Sequence, residues 1–203
     1  MTEPHAYDVL STETKFTGNV YSLRQDLVAM PGGQASKRDV VVHPGAVGVV
    51  ALDDQGQVML VNQYRHPVGR RLDELPAGLL DVAGEPGSTA AARELMEEAG
   101  LAADTWHVLV DALTTPGMSD ESIRLYLARD VRVVDRDVQE HEELEMTSTW
   151  VPLQEAVTRV LSGEIENAMA CIGVLSAAEA ERRGFAGLRP VDAPWRARPA
   201  AGG

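Results

Sequence analysis

Glu94, Glu97 and Glu98 fall within one short run, Arg93-Glu94-Leu95-Met96-Glu97-Glu98-Ala99-Gly100-Leu101, which reads as a single helix carrying like charges on one side. Such pairs at i, i+3 and i, i+4 destabilise a helix by roughly 0.2–0.5 kcal/mol each, so a fold that keeps them needs a compensating cation. A divalent metal is the obvious candidate. Ser88 is a suitable N-cap, residues 89–99 are helix formers, and Gly100 stands where a glycine ends a helix in the left-handed region. At about 100° per residue, Ala91, Ala92, Leu95, Met96 and Ala99 share a packing face, and the glutamates cluster on the opposite arc. The plainer alternative is a solvated acidic face in which Arg93 pairs with Glu97 at i+4.

The preceding run, Ala77-Gly78-Leu79-Leu80-Asp81-Val82-Ala83-Gly84-Glu85, is a glycine-bearing loop that delivers a further acid just before the helix. Loop and helix together resemble the Nudix box, in which Gly and Glu precede an Arg-Glu-hydrophobic-x-Glu-Glu-x-Gly-hydrophobic signature. The helical half matches from Glu85 through Arg93 to Leu101. In the loop half, Gly78 lies one residue further from Glu85 than the family pattern. The resemblance implies an αβα sandwich with a mixed sheet.

Composition fits a single catalytic domain. At 203 residues the chain is near one domain on a prior of about 100–200 residues. No apolar run approaches the roughly 20 residues that span a bilayer. The start, Met1-Thr2-Glu3-Pro4-His5, lacks the basic and apolar regions of a secretory signal, and a lone cysteine, Cys171, excludes an intrachain disulfide or a cysteine zinc cage. A cytoplasmic protein is expected. The formal charge of −13 disfavours nucleic acid, whose binders need a basic stripe. It still allows a polyphosphate bridged by Mg²⁺, a hard cation often shared between carboxylates and phosphates.

Along the chain, residues 15–30 and 35–42 read as strands around Pro31-Gly32-Gly33, and 45–52 with 57–64 as a hairpin around Asp53-Asp54-Gln55-Gly56. Further strands are expected at 106–113, 122–128 and 146–151, and helices at 153–161 and 166–182. The expected organisation is an N-terminal hairpin or small antiparallel sheet over residues 1–42, a hydrolase domain over 43–182, and a flexible tail over 183–203, which is rich in Pro, Arg, Ala and Gly without periodicity.

The substrate must be argued outside the box. Thr115-Pro116-Gly117-Met118-Ser119-Asp120-Glu121, Val41-Val42-His43-Pro44-Gly45-Ala46-Val47 and Asn62-Gln63-Tyr64-Arg65-His66-Pro67 are similar to the ADP-ribose pyrophosphatase subfamily, with a plain turn the alternative for the first. The resemblance makes Pro116, Gly117 and Met118 a substrate loop and points to a homodimer in which N-terminal strands help build the partner's site. Arg65 is the candidate diphosphate clamp, because a guanidinium offers two donors at fixed geometry. Arg38 is the candidate for stacking on adenine or holding the distal phosphate. A solvated strand-end charge is the alternative for both.

By resemblance the base comes from a late loop, here Gln139-Glu140-His141-Glu142-Glu143-Leu144-Glu145. Glu142 is the first choice, Glu140 the second, and Glu97 the fallback; His141 is expected to face solvent. The implied mechanism has Glu94 and Glu98, with the Ala77 carbonyl and Glu142, hold Mg²⁺ or Mn²⁺. Glu97 is a further ligand or fixes Arg93. An activated water, deprotonated by Glu142, then splits ADP-ribose into AMP and ribose 5-phosphate. Other readings are a pyrophosphatase for another nucleoside diphosphate sugar, a dinucleotide or a nucleoside triphosphate, a silent nucleotide sensor, and a simple acidic metal-binding module.

Overall fold

A computed structural model describes residues 7–135 and 145–198. Three antiparallel strands, β1 (Val9–Thr17), β2 (Ser22–Ala29) and β3 (Ala35–Val42), form an N-terminal sheet in that order. The chain was expected to run as one strand over 15–30. Instead it turns at Gly18, whose amide bonds the Tyr21 carbonyl at 2.9 Å, and β1 begins earlier than anticipated.

The main sheet is mixed. Its order is β11 (Arg189–Pro190), β8 (Leu101–Leu113), β9 (Ser122–Val133), β4 (Ala46–Ala51) and β7 (Ala77–Leu79). β4 and β9 run parallel and the remaining pairs antiparallel. A smaller antiparallel sheet joins β10 (Thr147–Pro152), β5 (Gln57–Arg65) and β6 (Arg70–Glu74). Strands β7 and β11 are too short, and β6 too polar, to announce themselves by periodicity.

β4 is buried at every residue, as a strand covered on both faces must be. Its side chains alternate between two cores. Val47, Val49 and Ala51 join Tyr126 and Ala128 of β9 beneath α1 (Gly87–Ala99). Val50, with Leu52 just beyond the strand, joins Leu125 and Leu127 beneath α2 (Leu153–Leu161) and α3 (Ala168–Arg182). Helices on both faces give the expected αβα sandwich. Asn167 caps α3, its side chain accepting from the Ala170 amide at 2.9 Å, which is the N-cap role that amide side chains favour.

Residues 183–198 are not a loose tail in this structure. β11 pairs with β8, Ala193 is buried, and Trp195 Nε1 donates to Ser122 Oγ at 2.9 Å. Composition could not reveal this, because the partner groups lie some seventy residues away on β9.

α3 approaches the sheet closely at Gly173, where a Cβ would meet Leu75 Cδ1 at 2.5 Å and Val50 Cγ2 at 2.9 Å. Overpacking of this kind costs about 1–3 kcal/mol. Gly173→Ala should therefore lower the denaturant midpoint by that equivalent without changing the slope; an unchanged midpoint would show that the two elements separate freely.

Candidate active site

The acidic helix begins earlier than Ser88. Pro86 takes the N-cap position with extended backbone and no side-chain cap, and α1 runs from Gly87. A proline restricts the residue before it and lacks an N–H, so Pro86 sets the start. The end is as expected: Gly100 has φ 65°, and its amide bonds the Leu95 and Met96 carbonyls.

The expected faces need correction. Ala92 is exposed, Ala90 is buried, and the packing stripe is Gly87, Ala90, Ala91, Leu95 and Ala99. Glu98 lies inside this stripe, about two turns after Ala91, and is only 9% exposed. Its Oε2 accepts from the Ala77 amide at 2.9 Å. Burial pushes the Glu98 carboxyl up to about 8; the Glu94 and Glu74 charges add to the rise, and the Ala77 hydrogen bond and the Arg65 charge oppose it.

Glu94 crosses directly over Gly78, where a Cβ would fall 1.9 Å from its Oε1. Burial raises the Glu94 pKa against the pull of Arg93. Arg93 gathers the remaining acids. Its Nη1 donates to Glu94 at 2.7 Å and Glu97 at 2.9 Å, and its Nε and Nη2 face Glu85 at 3.5 and 3.4 Å. Burial works against this guanidinium, but the three acids outweigh it and its pKa rises. The Arg93–Glu97 pair of the plain reading is present; the solvated face is not, since the Glu85 and Glu94 side chains are 12% and 13% exposed.

Arg65 stands at the rim. Its Nε and Nη2 fork onto Glu74 at 2.8 and 2.6 Å, and Glu74 is buried. Sequence reading did not single out Glu74. The signal was available: Asp73-Glu74-Leu75-Pro76 places acids immediately before the loop glycine.

Other expected residues lie elsewhere. Arg38 is on β3, bonded to Ser36 Oγ and the Lys37 carbonyl. The Pro116 loop joins β8 to β9. The Met118 and Ser119 amides both bond the Thr115 carbonyl, so a turn is present, and the loop is also stitched to the end of β3. The Val41 amide bonds the Met118 carbonyl at 2.8 Å, the Asp120 amide bonds the Val41 carbonyl at 3.2 Å, and the His43 amide bonds Asp120 Oδ1 at 2.9 Å. Gly117 faces open space and Met118 is exposed. Glu140, His141 and Glu142 lie outside the described residues.

Among the described residues no trio of acid, histidine or cysteine side chains is gathered for coordination as it stands; Glu94 is turned to Arg93 and Glu98 to the Ala77 amide. The donor set still fits a hard divalent cation. Glu94 and Glu98 offer carboxylate oxygens beside backbone bared by Gly78, and such ligands suit Mg²⁺-type ions. A cation here would also favour the ionised Glu98 that burial disfavours.

A mixed αβα sandwich with buried acids over a glycine loop has the fold and the donor set of a hydrolase family that generally needs a divalent metal ion. The chain belongs to the Nudix family, whose NUDIX domain matches residues 42–170. It is 56% identical to the ADP-ribose pyrophosphatase of Mycobacterium tuberculosis over 97% of this chain and 95% of that one. It is 38% identical to the ADP-ribose pyrophosphatase of Bacillus subtilis over 78% and 85% respectively. Its fold superposes on a crystal structure of an ADP compounds hydrolase with a TM-score of 0.76, at 19% identity, over 89% of this chain and 97% of that chain. No helix among the described residues is long and apolar enough to cross a membrane.

Gly78→Ala should displace Glu94 and weaken Mn²⁺ binding about 10–100-fold, the usual loss when a ligand's support is disturbed; titration calorimetry giving the wild-type affinity would remove Gly78 from the site. Glu98 also sets a pH dependence. A carboxyl that ionises near 4.5 when unfolded and at about 8 when folded keeps a proton the unfolded chain has lost, so stability falls as pH rises through that window. With chelator present, Tm should fall between about pH 5 and 8, by the equivalent of a few kcal/mol at about 1.4 kcal/mol per unit. Glu98→Gln should flatten the slope, and Mn²⁺ should raise Tm more at the alkaline end. The same slope in Glu98→Gln would exclude Glu98 as its source.

Proposed function

We propose that the chain hydrolyses the diphosphate bond of ADP-ribose, giving AMP and ribose 5-phosphate, with Mg²⁺ or Mn²⁺ as the ion. The observation that carries this reading is the buried Glu94–Glu98 pair over Gly78 in a chain 56% identical, over 97% of its length, to a protein named ADP-ribose pyrophosphatase. Glu94, Glu98, the Ala77 carbonyl and Glu142 would hold the cation. When bound, a divalent cation neutralises diphosphate charge and lets a water ionise near neutral pH.

The chain's own groups do the rest. Arg65 forks onto phosphate oxygens and stabilises the charge that develops as the bridging bond breaks; bound substrate and Glu74 share that guanidinium. Glu142 takes the proton from the attacking water. Support for Glu142 comes from the flanking geometry: Thr147 pairs with Asn62, three residues from Arg65, and Glu145 is bonded to Arg71 across from Tyr64. Glu97 fixes Arg93 and is the fallback base. Pro116, Gly117 and Met118 line the nucleoside side, and Arg38 holds adenine or the distal phosphate.

Residues 1–42 are proposed as a dimerisation element. Every residue of β1 is exposed, and Val9, Leu10, Phe16, Val20 and Tyr21 present apolar surface there. A second copy covering this surface would bring Arg38 toward a neighbouring site. The setting is proposed to be the cytoplasm.

Purified protein with Mg²⁺ or Mn²⁺ should release AMP and ribose 5-phosphate from ADP-ribose faster than products from other diphosphate sugars, dinucleotides or ATP, and EDTA should abolish that release. Glu98→Gln should lower kcat by orders of magnitude while the fold persists. Arg65→Lys keeps the charge beside buried Glu74 but loses the fork, so KM should rise with little change in Tm. Activity confined to another substrate would keep the metal site and discard the Pro116 assignment. A wild-type rate in Glu98→Gln would remove Glu98 from the chemistry.

A further inference from the structure

α1 has no side-chain cap at its start, yet the loop that leads into it carries Glu85, one of the three acids that organise Arg93. Something outside the helix must hold that junction. Arg124 of β9 is 3% exposed, and its Nε and Nη2 fork onto Asp111 at 2.7 and 3.0 Å. It also reaches the C-terminal segment: Nη1 donates to the Ala193 carbonyl at 2.7 Å and Nη2 to the Pro194 carbonyl at 3.0 Å. The guanidinium also lies 4.8 Å from the Trp195 ring centroid, within cation–π range. A charge this buried persists only because all these partners are in place.

The clamped segment then touches the junction twice. A Cβ on Gly87 would lie 3.6 Å from Trp195 Cζ3 and 2.9 Å from the Tyr126 hydroxyl, so Trp195 and Tyr126 together wall the first residue of α1. Arg198 Nη2 donates to the Glu85 carbonyl at 2.9 Å.

We propose that residues 189–198 form a strap, clamped by Arg124, that positions Glu85 and the start of α1, so that Trp195 and Arg198 act as positioning residues for the acid cluster. The path runs from Arg124 through Trp195 and Arg198 to Glu85, and from Glu85 through Arg93 to Glu94 and Glu97. This inference rests on the reading of α1 as the catalytic helix. Without the strap, the Glu85 junction gains alternative positions and Arg93 loses one of its fixed partners.

The test compares Arg198→Ala, Arg198→Lys, Trp195→Ala, Trp195→Phe and Arg124→Met, reading Mn²⁺ affinity by the resonance of the free ion, amide exchange over residues 81–90, and kcat with KM on ADP-ribose. Arg198→Ala and Trp195→Ala should weaken Mn²⁺ binding about tenfold, at the lower end of losses for groups that orient ligands. They should speed exchange at 81–90 and lower kcat more than they raise KM. Lysine can still donate to one carbonyl and phenylalanine can still wall Gly87, so those variants should keep most of the wild-type values. Mn²⁺ affinity and exchange within twofold of wild type in both alanine variants would overturn the strap. Should Arg124→Met fail to fold, the Arg198 and Trp195 variants decide alone. If wild-type protein binds Mn²⁺ but leaves ADP-ribose intact, the proposed function fails and the affinity and exchange data still judge the strap.

Discussion

A carboxylate in the middle of a helix's buried face is expensive, and Glu98 occupies such a place between Ala91 and Leu95 on one side and β7 on the other. Burying an ionised carboxylate without full compensation costs several kcal/mol, and one backbone amide offsets only part of that. Much of the local architecture follows from this cost. β7 is three residues long and aims the Ala77 amide at α1, which requires helix and strand to approach closely. The approach leaves no room for a side chain at residue 78, because Glu94 lies where its Cβ would be. The glycine of the loop is therefore a consequence of where the helix acids sit. The raised Glu98 pKa is the residual cost, which a cation bound as proposed would remove.

The same reasoning explains why an acidic protein can act on an anionic substrate. Glu74, Glu85, Glu94, Glu97 and Glu98 outnumber the two guanidiniums, Arg65 and Arg93, that face them. In low-dielectric surroundings a diphosphate would be repelled from this centre. In the proposed reading, divalent cations would reverse the sign of the field at the point of attack while Arg65 would receive the phosphate at the rim. Arg93 is the internal brace. It is bonded to Glu94 and Glu97, and in the proposed reading a cation would compete with it for Glu94.

How much of this could be read in advance differs from residue to residue. Gly100 announced the helix end, since a left-handed terminus favours glycine, and its φ of 65° agrees. The start was misread because Ser88 looked like a cap while Pro86, two residues earlier, overrode it. The face was misread because a charged residue is normally assigned away from the packing stripe, and a helical wheel does not distinguish a buried carboxylate from an exposed one. β4 shows no alternation because both its faces are covered, although its length gave it away. Gly18 hid a turn inside what looked like one long strand, and β6, β7 and β11 carry too few apolar residues to be seen. Glu74 acquires meaning only through Arg65, nine positions earlier on the neighbouring strand. The C-terminal segment is low in periodicity, yet it is fixed by a buried arginine that sequence alone cannot pair with it.

Substrate choice has to come from elements outside the acid helix, and the structure couples two of those proposed for it. Val41 is the penultimate residue of β3, and its amide and carbonyl are bonded to Met118, Asp120 and Ser119 Oγ of the Pro116 loop, while His43, two residues on, is bonded to Asp120. Each such bond contributes about 0.5–1.5 kcal/mol net, enough together to make the loop follow the N-terminal sheet. A partner seated on that sheet, as proposed, would then set the position of Pro116, Gly117 and Met118 as well as deliver Arg38. Assembly and substrate recognition would depend on one set of hydrogen bonds, whereas the metal chemistry, held by α1, β7 and Gly78 within a single chain, would not. Dissociating the chains should accordingly affect substrate affinity before it affects the affinity for the ion.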